Sequence, residues 1–507
     1  AAAAASAGGG DFYDYQIANS IRFNGTSQAL EKTWGSAASD NNKKALSFWI
    51  KRSGNGNSAF GSTTNTKMVS ANEFNLLQIN TGNPSGYSDQ FGYDFNNGNN
   101  GNWFLGKWRD PSAWMHIIWI WNSDESTAVD RLKFYVNGVN YVVNNSTYFN
   151  NKYGNPYPAS GEDSTFGKNG MEMHIARYHY NNAEWWGGQM ADFIMIDGAA
   201  SYTDFGEFKN GVWKPVDPSG LTFGDNGFHL DFASSGDLGN DVSGNNNDFS
   251  VIGSIPASAQ LLDSPTFNSD SNGGNFATYN PLSPTTNGAV FTEGNLKSSP
   301  ASSWSSTTYI KTTMAIPKDK KIYFEASDAG SNGGLFSVGV AIQSGVPSGT
   351  NVGGAGSVTL YDESKYVNGS RTASWITSAS AGDIIQVAVD GATGKVWLGI
   401  NNTWGGSGNP AGNSNEAGTI TNTNAEDLLP VVCQNSASNL VINFGQDGTF
   451  AGAKTAQGNA DATGYGNFYY TPPTDFLSLN SGNLPVADAV DPAQTDDNYP
   501  QKLFSPA

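Results

Sequence analysis

Apolar residues in this chain recur at every second position, and that period constrains it most. In ALSFWIKRS (45–53), Leu46, Phe48 and Ile50 alternate with Ser47, Trp49 and Lys51. In DRLKFYVNGVNYVV, Leu132, Phe134 and Val136 alternate with Lys133 and Tyr135 and then meet Asn137-Gly138. A period of two is the signature of strands. Asn-Gly between two such runs supplies the positive φ angles of a two-residue hairpin turn. No long stretch shows a helical period. The chain is therefore expected to be all-β, built from short antiparallel strands separated by turns. The 61 glycines and the crowding of Asn, Ser, Thr and Asp between the runs agree.

The stretch WMHIIWIW (114–121) tests the rule, because both of its faces are apolar. Trp114, His116, Ile118 and Ile120 share one side, and Met115, Ile117, Trp119 and Trp121 the other. Such a strand is covered on both faces. Its three tryptophans are expected in the core, and His116 as a hydrogen-bonded structural histidine.

At 507 residues the chain is long enough for more than one core. Strand-like runs fill 15–232 and again 293–480. Residues 233–292, rich in Gly, Asn, Asp and Pro, read as an extended linker or a strap that packs. Residues 1–14 and 481–507 read as an N-terminal arm and an extended tail. Two antiparallel sandwiches in tandem are the simplest account.

A net charge of −19 repels phosphate backbones. The lysine pairs in NNKK (41–44) and KDKK (318–321) are isolated, read as solvated loops, so no nucleic-acid partner is expected. No apolar run reaches membrane-spanning length and no signal peptide is recognised, so no membrane is expected either. Cys433 is the one cysteine, so no disulfide forms within these residues and no metal cluster can rest on thiolates.

No catalytic residue is assigned. A retaining glycosidase needs two carboxylates about 5 Å apart, and no Glu-x-Glu or Glu-x-Asp pattern places two on one strand face. Glu172 and Glu325 stand as lone strand carboxylates. His174 and His179, five apart on a regular strand, point to opposite faces and suggest no zinc site. No nucleophile elbow, P-loop or dinucleotide fingerprint is present. SGDLGNDVSGNNND offers Asp237, Asp241 and Asp248, with Asn245, as oxygen ligands for calcium, the one cofactor considered; Asx turns are the competing reading. Trp103, Trp108, Trp185, Trp186 and Trp404 fall in turn-like stretches. There they could stack on a glycan or pack on a protein partner.

The run LSFWIKRS, WMHIIWIWNS, DRLKFYVNGV and GGQMADFIMIDGAA, over about 15–232, resembles the laminin-G/concanavalin A-like superfamily. IYFEAS, FSVGVAI, GDIIQVAVDGATGKVWLGINN, LLPVV and LVINFGQDGTF resemble a SPRY domain. In order with YQIANSIRFNG, DFGEFKNGVWKPVDPSG and NFATYNPL, they resemble virion proteins of tailed, marine-type phages. The resemblance implies two concanavalin-like sandwiches of jelly-roll type. It implies a non-enzymatic fibre, spike or head-decoration protein on the exposed surface of a particle assembled in the bacterial cytoplasm. Its partners would be a host-surface glycan or protein, other virion proteins, and further copies of itself, as in a trimer. A purely architectural role and a glycan hydrolase are the alternatives. The resemblance also leads us to expect more chain beyond residue 507.

Overall fold

The computed structural model describes residues 12–53, 66–72, 74–79, 89–95, 99–104, 106–142, 149–153, 155–179, 184–267, 273–283, 289–299, 308–328, 336–345, 353–434 and 439–484. The arm 1–11 and the tail from 485 onward lie outside them. Every paired strand is antiparallel, and four large sheets make two sandwiches. Among the described residues no helix is long and apolar enough to cross a membrane. The fold is all-β, as the alternation predicts.

In the first sandwich, Lys43–Arg52 is central in one sheet, between Trp114–Asn122 and Gly187–Ile196. The facing sheet runs through Phe91–Phe95, Phe74–Ile79, Thr66–Ala71, Glu172–Ile175 and Ala29–Thr33. Leu46, Phe48, Ile50, Met115, Ile117, Trp119 and Trp121 meet Val69, Phe91, Phe95 and Ile175 between the sheets. The hairpin forms as the sequence predicts: Leu132–Val136 turns through Asn137 (φ 48°) and Gly138 (φ 75°) into Val139–Asn140.

The other face of Trp114–Asn122 is closed by a smaller cluster. Trp49, Trp114, Ile118 and Tyr135 pack there with Trp213, which the hairpin of Gly206–Lys209 and Val212–Pro215 contributes. Both faces of the tryptophan-rich strand are thus covered. His116 is buried within this cluster, stacked on Trp49 at 4.4 Å. The Trp213 indole donates to its Nδ1 (2.9 Å), which fixes the proton on Nε2, where Ser47 Oγ accepts it at 2.7 Å. Burial pushes His116 down to about 3, so it is a neutral structural histidine.

Two lysines of the strand Lys43–Arg52 are interior. Lys44, placed above in a solvated loop, is wholly buried and pairs with Asp197. Lys51 is likewise buried, and its ammonium donates to Asp263 Oδ2, Asn275 Oδ1 and the Phe276 carbonyl, each at 2.7 Å. Asp263 Oδ1 accepts the Trp114 indole N–H at 3.0 Å. Burial lowers the Lys51 pKa, and Asp263 opposes that shift.

The segment read as a linker splits in two. Ser250–Ile252 and Gln260–Leu261 add edge strands to the two sheets of the first sandwich, which therefore extends past residue 232 to Leu261. Of the rest, the described residues 262–267 and 273–283 form a packed strap: Phe276, Ala277 and Tyr279 enter the core of the second sandwich. That sandwich sets a sheet centred on Lys321–Asp328 and Ile384–Asp390 against one centred on Leu428–Gln434 and Phe336–Ile342. Cys433 is buried there, with its thiol pushed up to about 12.

Arg22 joins the two units directly. Its guanidinium, 2% exposed, donates to Asp447 Oδ2 (2.8 Å) and the Ser258 carbonyl (3.1 Å) and pairs with Glu293 Oε2 (2.8 Å). Removing one partner of a buried pair strands the other. Asp263→Ala is therefore expected to lower stability by about 3–5 kcal/mol and to expose the strap around Asn275 and Phe276 to protease. Urea unfolding with limited proteolysis checks this; an unchanged midpoint and cleavage pattern would contradict it.

Candidate functional site

Each of the five tryptophans proposed for ligand contact packs against protein in the structure. Trp103 lies inside the strand Asn100–Phe104, not in a turn, and is buried. Trp186 is buried in the main core, edge-on to Phe23. Trp108 is half-buried between Phe91 (4.6 Å) and Tyr141 (5.1 Å). Trp404 packs on the Trp397 cluster, and Trp185 lies beneath the Arg177 guanidinium at 5.4 Å.

The calcium candidates are not gathered into a ligand set. Asp241 is consumed by its own loop. Its Oδ1 accepts His229 N and Ser243 N, and its Oδ2 accepts Ser243 Oγ and Asn247 N, all within 2.9 Å. Asp248 Oδ1 accepts Asp241 N at 2.8 Å, and Asp237 Oδ1 accepts Gly239 N at 3.3 Å. These are Asx turns satisfying a tight loop, and the carboxylates are spent on backbone N–H groups.

The structure gathers a different group, on the outer face of the second sheet. Glu172–Ile175 lies between Ala29–Thr33 and Thr66–Ala71, with His174 opposite Glu31 on one side and Ser70 on the other. Met173 and Ile175 point into the core, so the alternation turns Glu172 and His174 outward. His174 Nε2 lies 3.3 Å from Glu31 Oε2, 3.4 Å from Glu172 Oε1 and 3.0 Å from Arg177 Nη2. His174 is fully buried, while the Glu31 and Glu172 side chains are 37% and 40% exposed. Burial, then Arg177, holds the imidazole down to about 3. Burial, then the Glu31 carboxylate, raises Glu172.

Glu172 is therefore not a lone carboxylate. Its partner Glu31 comes from a strand far away in sequence, so a search along one strand could not find it. The alternation that turns Leu30 into the core turns Glu31 outward, and that phase was the available signal. His179 also departs from expectation. The strand ends at Ile175 and Ala176 turns with φ 71°, so the regular-strand rule no longer applies to it. Its charge interaction with Arg177 and His174 brings it near the same cluster.

Glu325 has a structural task. Its carboxylate accepts from Tyr469 N (2.8 Å), Tyr470 N (2.7 Å), the Tyr323 hydroxyl (2.9 Å) and Asn443 Nδ2 (3.4 Å). It fastens the segment around 469–470 to the strand Lys321–Asp328. Burial nevertheless pushes it up from the ordinary 4.5 to about 7, against the pull of those donors.

No family model and no curated protein matches this sequence. Among solved structures, a human SPRY domain is 16% identical, with 29% of this chain and 90% of its own covered, at a TM-score of 0.24. The SPRY domain of human HERC1 is 15% identical, with 29% and 87% covered, at 0.22. A heptameric SAP-like pentraxin from Limulus polyphemus is 15% identical, with 37% and 80% covered, at 0.25. The sandwich fold described above rests on this chain's own sheets.

The Glu325 pKa sets a pH dependence. A carboxyl that titrates higher in the folded state contributes stability that is full below about 4.5 and is lost as pH rises through about 7. Glu325→Gln cannot ionise, so the fall in melting temperature between about pH 5 and about pH 8 should shrink relative to the parent chain. Parallel melting curves at the two pH values check this; an identical fall in both proteins would contradict it.

Proposed function

We propose that this chain is a non-enzymatic, architectural component of a phage particle, whose sandwiches pack against neighbouring particle subunits. One observation carries the choice over glycan recognition: the five tryptophans put forward for sugar stacking are each engaged by the protein itself. A sugar platform needs an open aromatic face, and Trp103, Trp108, Trp185, Trp186 and Trp404 each have a protein group against the ring or a place in the core.

Exposed apolar surface lies elsewhere. Phe208 is 53% exposed and Val212 45%, on the hairpin that carries Trp213. Val139 is 49% exposed and follows Gly138, where a side chain would collide with the Trp213 ring. Three large apolar residues around one indole suit burial against another protein. Phe12, where the described chain starts, is close by: the Lys209 ammonium donates to its carbonyl at 3.2 Å.

The chemistry of the carboxylate pair favours the non-enzymatic reading. A glycosidase keeps the space between its carboxylates for the scissile oxygen, and here His174 Nε2 stands within 3.4 Å of both carboxylates. The pairing of Arg22 with Glu293 and Asp447 suits a building block that keeps its domains in one arrangement.

Phe208→Asp with Val212→Asp should leave the isolated chain folded and reduce its incorporation into particles severalfold. Particle composition measured beside the circular dichroism of the free chain reads this. A glycan array probed with the parent chain should stay silent. Undiminished incorporation, or strong binding to a host polysaccharide that Trp108→Ala or Trp185→Ala removes, would turn the assignment to host recognition.

A further inference from the structure

We propose that Glu31, Glu172 and His174 form a binding site for a divalent transition-metal ion of the zinc type, on the outer face of the first sandwich. The proposal is independent of the architectural reading.

The first argument is geometric. Zinc bonds to nitrogen and oxygen of about 2.0–2.1 Å, set at the tetrahedral angle, hold neighbouring ligand atoms about 3.3–3.4 Å apart. His174 Nε2 stands 3.3 Å from Glu31 Oε2 and 3.4 Å from Glu172 Oε1, which are two edges of such a tetrahedron. Ligand atoms of all three residues lie within 4.8 Å of one another. Among the described residues this is the one trio of histidine, cysteine, aspartate or glutamate so gathered.

The second argument is that hydrogen bonding alone cannot satisfy the buried imidazole. Nε2 faces two carboxylate acceptors and, at 3.0 Å, the Arg177 donor. A proton on Nε2 satisfies a carboxylate and opposes Arg177. A lone pair there accepts from Arg177 and leaves the carboxylates without that proton. Nδ1 makes no hydrogen bond among the described residues in either case. A wholly buried side chain thus aims an atom into a carboxylate pair under conflicting demands. A dication satisfies the Nε2 lone pair and both carboxylates together and leaves the proton on Nδ1.

Arg177 supplies the local positive charge in this arrangement, so it would compete with a metal ion. It has somewhere to go. Its guanidinium already lies over Trp185, and its Nε has no hydrogen-bond partner holding it in place. The nitrogen ligand selects for zinc-like ions over calcium or magnesium, which prefer all-oxygen shells. The half-exposed carboxylates leave a side open for water as a further ligand.

The test uses the full chain, titrated with zinc chloride by calorimetry and with cobalt(II) by visible absorption. The parent should bind one ion and give the intense cobalt spectrum of a four-coordinate site. Glu31→Gln with Glu172→Gln changes partly exposed side chains and should keep the fold. It should weaken binding by more than the about 100-fold that loss of a supporting contact costs. Arg177→Gln should tighten binding by about 10-fold, since it removes a competing charge. Zinc bound equally by the parent and the double glutamine variant, a weak octahedral cobalt spectrum, or calcium bound as tightly as zinc would overturn the proposal.

Discussion

The buried pair of Lys51 and Asp263 holds the arrangement of this chain together. Lys51 sits on the central strand of the first sandwich, on the face turned away from the main core. Its ammonium has three oxygen partners there, and Asp263 is also held by the Trp114 indole. Two of the lysine's partners, Asn275 and Phe276, belong to the strap that enters the second core. An ion pair taken out of water returns little net stability, because the desolvation cost offsets the Coulombic gain. What it adds is selectivity: a strap in any other register would leave a bare charge inside the protein. The pair therefore fixes where the second sandwich begins relative to the first.

The sequence revealed whatever depends on near neighbours. The alternation in 45–53 and 114–122, the Asn-Gly hairpin and the two-faced burial of the tryptophan strand are all local, and period plus turn chemistry predicts them. Burial by distant chain was not legible. Lys51 shares the phase of Ser47, opposite the main core, and Lys44 stands on the core phase at the start of the strand; the approach of Asp263 and of Asp197 is what lets these two cations be interior. The same limit explains the linker: nothing in Ser250–Ile252 or Gln260–Leu261 announces which sheet edge it will extend.

The candidate site shows the same limit in its chemistry. Glu31 and His174 are cross-strand neighbours by register, and register is a property of the fold. The tryptophans misled for the opposite reason. Trp103, Trp108, Trp185, Trp186 and Trp404 have Gly- and Asn-rich neighbours that signal turns, yet a turn at a sandwich edge can fold its aromatic back onto the core. The polar neighbours report on the backbone and say little about the ring.

Arg22 has a consequence for the order of folding. It stands near the start of the chain, while Asp447, one of its anionic partners, lies 425 residues further on. As the chain leaves the ribosome, the strand Ser20–Asn24 is available long before that carboxylate. Glu293 arrives earlier and offers the cation a partial partner at the moment the second sandwich starts to form. Contacts of such long sequence separation are slow to close and leave surfaces open to wrong pairings in the meantime. The cation at the edge of the first sandwich thus gains its last partner only when the segment after Leu440–Asn443 has been made, so the second unit completes the first.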